Sequence, residues 1–224
     1  MAASWAQTVT PWSTVSPSTS GAFTPSAGSA LIVIDLDTAA TGRTLTCSGT
    51  GSFPQLNPPG AFNDANGNSL AMFTQLNCSG GSQTITVTSS TAGDLMASYA
   101  WEYSSVSSID SGGAVSRATP GTGTGAIVGT AQTVATGDIL LAYCQDVSGT
   151  GTAITSPSGT NRGSGVNETN FCVTEYAGAG GSITPSFTSS SGGTDNFDVM
   201  QLVIHATAIS SVPPQIGKSI YIMP

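Results

Sequence analysis

Apolar residues in this chain come either at every second position or in short unbroken runs, and both patterns stop at Gly, Pro, Asn, Asp or Ser. In TITVTSS, Ile85 and Val87 point one way while Thr84, Thr86 and Thr88 point the other, as a strand with one wet face requires. Runs such as ALIVIDLD and ILLAYCQD fall far short of the roughly 18 to 20 apolar residues of a membrane helix. The pattern predicts strands at about 5–10, 22–24, 29–37, 43–48, 69–77, 82–89, 94–104, 125–134, 137–146, 168–176, 182–188 and 196–208. No helix of ten or more residues is predicted.

The pattern also repeats. GSALIVIDLD at 28–37 matches GDILLAYCQD at 137–146, each opening on a Gly-containing turn and closing on Asp. GSQTITVTSSTAGDLMASYAWEY at 81–103 matches GSITPSFTSSSGGTDNFDVMQLVIH at 181–205 in its order of features. Two copies are too few for a solenoid. They fit two halves of one sandwich or two small sandwiches side by side, and the first is expected because each half alone makes a marginal domain. The expected fold is therefore all-β: an antiparallel two-sheet sandwich built from two similar halves, 21–110 and 125–208, joined by SGGAVSRATPGTGTG at 111–125. Residues 1–20 form an amino-terminal arm or edge strand holding Trp5 and Trp12. Residues 209–224 form a carboxy-terminal docking tail ending in Ile220, Tyr221, Ile222 and Met223. Aromatic and aliphatic ends of this kind anchor interfaces, so Trp5, Trp12, Ile220, Tyr221 and Ile222 are the expected partner-binding residues.

Composition narrows the function. Only 7% of the 224 residues are charged, against a usual share of about 25%, and 28 are Gly. The net charge is −8, from 4 Lys plus Arg against 12 Asp plus Glu. Four scattered cations make no basic stripe, so neither nucleic acid nor an anionic membrane is an expected partner. The first twenty residues hold no basic segment followed by an apolar one, so either a signal has been removed or, the expected reading, the protein leaves the cell by assembly into a particle released by lysis. Cys47, Cys78, Cys144 and Cys172 match no zinc spacing. They read as free, mostly buried thiols, with pairing inside each half (Cys47 with Cys78, Cys144 with Cys172) as the alternative.

Catalytic chemistry is thinly represented. His205, the only histidine, closes an apolar run with no nucleophile elbow nearby, and reads as a core-edge or surface residue. Glu102 and Glu175, in WEY and TEY, read as solvent-facing residues beside core aromatics, and Asp35 and Asp37 as turn or cap residues. Asp64, Asn66 and Asn68 alternate as a calcium loop begins. Ser69 and Gln75 stand where such a loop needs Gly and Glu, so an Asn66-Gly67 turn explains them. No catalytic residue, cofactor or metal site is expected, and the chain is not expected to be an enzyme.

The sequence SALIVIDLD, DANGNS, GSQTITVTSS and DLMASYAWEYSSV, in that order, resembles a group of uncharacterised β-sandwich proteins of bacteriophage virions and bacterial surfaces. The likeness covers roughly residues 5–208 and implies a sandwich, often of jelly-roll type. It carries no catalytic residues with it. The function it implies is structural: a capsid decoration or cement protein, or a fibre-like appendage. Such a protein sits in the virion, assembles in the host cytoplasm, and binds other virion proteins and copies of itself. The alternative is a carbohydrate-binding or adhesive module, extracellular or on a cell surface, using Trp101, Tyr103 and Tyr176.

Overall fold

A computed structural model describes residues 1–10, 12–38, 42–56, 62–63, 68–118, 127–146, 153–165, 171–189 and 196–208. The described residues are all-β without a helix, and every strand ladder among them is antiparallel. The first large sheet holds, in spatial order, β1 (Ser4–Val9), β8 (Met96–Ser104), β3 (Ala30–Asp37), β6 (Ser69–Gln75) and β5 (Phe62–Asn63). The second holds β14 (Thr160–Gly165), β15 (Phe171–Ala177), β12 (Ile139–Asp146), β18 (Asn196–Ala206) and β9 (Val106–Ala118). Three smaller sheets complete the set. One is β2 (Ser18–Thr19), β7 (Thr86–Ser89) and β4 (Leu45–Ser48); another is β10 (Ile127–Val128), β17 (Ser186–Ser189) and β13 (Ile154–Thr155). The last pairs β11 (Gln132–Val134) with β16 (Gly181–Ile183).

The long apolar runs become the central strands β3 and β12, and their burial explains why they do not alternate. Every residue of both strands is buried. A strand covered on both faces has no wet side to mark with polar residues. On β3, Ile32, Ile34 and Leu36 point into a core shared with Leu141, Tyr143, Val173 and Leu202 of the second large sheet. Leu31 and Val33 point the other way, onto Leu45 and Val87 of the first small sheet and the adjoining Ile85. On β12, Leu140, Ala142 and Cys144 likewise turn outward onto Ile127, Ile154 and Phe187. Among the described residues, five sheets and three apolar cores thus replace the expected two sheets around one interior, because both large sheets are coated on both faces.

Aromatic rings join the two large sheets. Tyr99 of β8 lies 4.1 Å, centroid to centroid, from Phe171 of β15, and Phe171 lies 5.9 Å from Tyr143 of β12. The second separation falls in the favourable range of about 4.5–7 Å for ring pairs, and the first is closer still.

The segment 111–125 is not wholly a connection. Its first part continues β9, which pairs with β18 from Val106↔Ala206 to Ala118↔Asn196. Its Ser- and Gly-rich sequence hides the strand, because an edge strand is held by the backbone ladder more than by side chains. Gly112 and Gly113 supply the bulge opposite Gln201: Gly113 has φ +88, and a Cβ on Gly112 would lie 2.9 Å from Gln201 Cγ. Residues 22–24, expected as a strand, make only the single bridge Phe23↔Gln83. The Asp64–Gly67 stretch lies outside the described residues, and the strands flanking it, β5 and β6, pair antiparallel.

Candidate functional site

The expected anchors part company. Ile220, Tyr221 and Ile222 lie outside the described residues. Trp5 is 38% exposed on β1, and the guanidinium carbon of Arg162 sits 4.8 Å from its ring centroid. Arg162 grips Glu175 with two nitrogens, Nε to Oε2 at 2.8 Å and Nη2 to Oε1 at 3.1 Å. Tyr103 donates its hydroxyl to the same Oε2 at 3.2 Å, and Trp101 donates its indole N–H to the Arg162 carbonyl at 3.2 Å. Burial, then the nearby Glu175 carboxylate, pushes the Tyr103 phenol well up, so it remains a donor. Trp5 therefore belongs to a clamp between the β1–β8 side of one large sheet and the β14–β15 side of the other. Glu175 is part of that clamp rather than a solvent-facing residue.

Trp12 is partly buried. It donates its indole N–H to the Val9 carbonyl at 2.9 Å and packs on the core behind the first large sheet. It also lines a cavity of about 520 Å³ together with Thr10, Ser13, Thr14, Thr38 and the run Leu95–Tyr99. The cavity forms because β1 stops at Val9↔Ala100, leaving the start of β8 without that neighbour. Val15 and Leu95, which bridge each other, are 46% and 53% exposed beside it. None of its lining residues carries a charge at neutral pH, and its volume is within the usual range of ligand clefts, about 300–1,000 Å³. Such a site suits a neutral, partly apolar group. Sequence reasoning had no means of finding it, since its walls come from residues 10–14, Thr38 and the start of β8, segments far apart in the chain.

Trp101, Tyr103 and Tyr176, the aromatics that the carbohydrate-binding alternative would use, are buried, as their position inside strands leads one to expect. Their place on strands packed between layers leaves no ring face for a ligand. Glu102 is also buried, not solvent-facing: it accepts from the Ser26 N–H at 2.7 Å and from the Gln7 amide. Asp35 and Asp37, expected at a turn, sit fully buried on β3, on the face toward the first small sheet. Asp37 accepts from Ser89 at 2.6 Å, and Ser89 also contacts Asp94, which lies 2.8 Å from Arg43 Nε.

Asp35 heads a chain of three oxygen–oxygen contacts: to Ser98 Oγ, from there to Ser18 Oγ at 2.7 Å, and on to the Ser13 carbonyl at 2.6 Å. The carbonyl cannot donate, so Ser18 gives it a proton and Ser98 gives its own to Ser18. The proton between Asp35 and Ser98 then comes from the carboxyl group. Burial raises the Asp35 pKa from 3.8 to about 8, with the Asp37 charge adding, and so keeps that proton in place at neutral pH.

His205 stands between two carboxylates, Nδ1 2.8 Å from Asp138 and Nε2 3.1 Å from Asp110. Burial disfavours its charge, but the hydrogen bonds and charges of Asp138 and Asp110 outweigh that and raise its pKa. Neither ring nitrogen is free to take a proton from a serine, which a Ser–His relay requires. All four cysteines are free thiols, and Cys78, Cys144 and Cys172 are buried. Among the described residues, no group of three or more His, Cys, Asp or Glu is placed to hold a metal ion. No protein-family profile, curated protein or solved structure matches the chain.

Proposed function

We propose that this chain is a structural protein of a bacteriophage virion, a capsid decoration or cement protein or a fibre-like appendage, made of two jelly-roll-like halves. The observation that carries this reading is the order of strand pairing. In the first half, β1-β8-β3-β6 backs onto β2-β7-β4; in the second, β9-β18-β12-β15 backs onto β10-β17-β13. Both orders follow the jelly roll, in which strands 1, 8, 3 and 6 make one sheet and 2, 7, 4 and 5 the other. Here β5 and β14, the fifth strands, pair with β6 and β15 instead. Jelly rolls build viral capsid and lectin domains. The two repeated sequence blocks at 28–37 and 137–146 supply the central strands β3 and β12.

The charge-poor Ser/Thr surface supports the same reading, because a shell that relies little on screened ion pairs holds over a wide range of salt. Its partners are copies of itself and other virion proteins, reached through the apolar tail 209–224; the charge balance supports neither nucleic acid nor membrane. On light scattering, the full chain is expected to be oligomeric or particle-bound, and the chain cut after residue 208 a folded monomer. A truncated chain that assembles like the full one removes the tail from the reading.

One observation favours a second reading, a carbohydrate-binding module: the uncharged cavity offers the Trp12 and Tyr99 rings with the hydroxyls of Thr10 and Thr14. Saturation-transfer NMR with neutral oligosaccharides is then expected to give signals that Trp12→Ala abolishes. No signal at millimolar sugar discards this reading.

A further inference from the structure

We propose that Cys144 and Cys172 are a latent cross-strand disulfide, two thiols that an oxidant joins while the strands stay where they are. The two residues are direct partners in the β12–β15 ladder. Directly opposed residues in an antiparallel pair have Cα atoms about 4.5–5.5 Å apart, inside the roughly 4.4–6.8 Å that a disulfide spans. Both side chains point to the same face, into the outer core that holds Leu140 and Ala142. β12 is held by β15 on one side and β18 on the other, so its backbone is fixed and only side-chain rotation is needed.

The choice of partner is unambiguous. Cys47 and Cys78 pack on the core behind the first large sheet, whereas Cys144 and Cys172 pack on the core behind the second. Both large sheets and the core between them separate the two sets. The inference is independent of the proposed function. In a virion it gives a chain that is reduced in the cytoplasm and locked after release.

With hydrogen peroxide as oxidant the step balances. One sulfur attacks the O–O bond and becomes a sulfenic acid, and its proton leaves with the departing hydroxide as water. The second sulfur displaces the sulfenic OH, which takes the second thiol proton and leaves as another water. Two thiols lose two electrons in all, and one peroxide becomes two waters. Burial holds both thiols above their ordinary range, so the native protein reacts slowly and oxidative refolding is the efficient route.

The test uses the full chain, unfolded and refolded in a mixture of oxidised and reduced glutathione, and separately the native chain held in hydrogen peroxide. The expected product is lighter by about 2 Da per disulfide, gives a Cys144–Cys172 linked peptide on non-reducing mapping, and melts higher by about 5 °C or more. Cys144→Ser and Cys172→Ser each abolish that linked peptide and the rise in Tm. The proposal is overturned if the refolded wild type keeps both thiols reduced, links either to another cysteine, or carries only sulfinic acid or glutathione adducts.

Discussion

Replacing Asp35 by Asn is expected to flatten the dependence of stability on pH between about 4 and 8. In the folded chain Asp35 keeps its proton up to a pKa of about 8, whereas the unfolded chain releases it near 3.8. Between those values the unfolded state binds fewer protons than the folded one, so stability falls as pH rises and levels off above 8. Each unit of difference corresponds to about 1.36 kcal/mol, which puts the whole fall on the order of 5 kcal/mol. His205 leans the same way: its raised pKa contributes stability that is complete below the ordinary histidine value and is lost as pH climbs through the folded one. The difference between wild type and Asp35→Asn therefore isolates the aspartate. Asparagine keeps the size and offers an N–H to Ser98, so the variant is expected to match the wild type near pH 4.5 and exceed it at pH 8. Urea unfolding at pH 4.5, 6 and 8 measures both slopes; equal slopes would show that Asp35 is ionised in the fold.

Trp101→Ala is expected to cost about 3–5 kcal/mol, the usual loss when a buried large aromatic is truncated. Trp101 is 1% exposed in the core between the two large sheets, and its indole bonds across to the Arg162 carbonyl. Because that core draws on both sheets, the loss should lower one common transition, followed by far-UV circular dichroism and by tryptophan fluorescence together. Trp101→Phe, which refills part of the space but not the hydrogen bond, should recover part of the loss. Two separate transitions, of which only the one belonging to 1–104 shifts, would show that the layers unfold independently.

These expectations rest on positions that were unevenly legible. The long strands could be read because burial on both faces leaves an unbroken apolar run, as in Ala30–Leu36 and Ile139–Cys144. β9 and β14 escaped, since SSIDSGGAVSRA and TNRGSG show little apolar pattern and owe their strand form to the partners β18 and β15. Glu102 and Asp35 were misplaced because a carboxylate in a strand reads as a wet residue. Here Gln7, Ser26, Ser98 and Ser18 meet them from segments distant in sequence.

By itself the sequence determined the strand-rich, helix-free character of the chain and the course of its central strands. It also determined a surface nearly bare of charge, because local alternation and residue type are written along the chain. Only the tertiary structure decided how many sheets there are, which face each carboxylate meets, that Trp5 lies under Arg162, and that Cys144 stands opposite Cys172. Those facts depend on contacts between residues tens to a hundred positions apart. Layer stacking and ladder register set such contacts, and neither can be read from any one stretch of sequence.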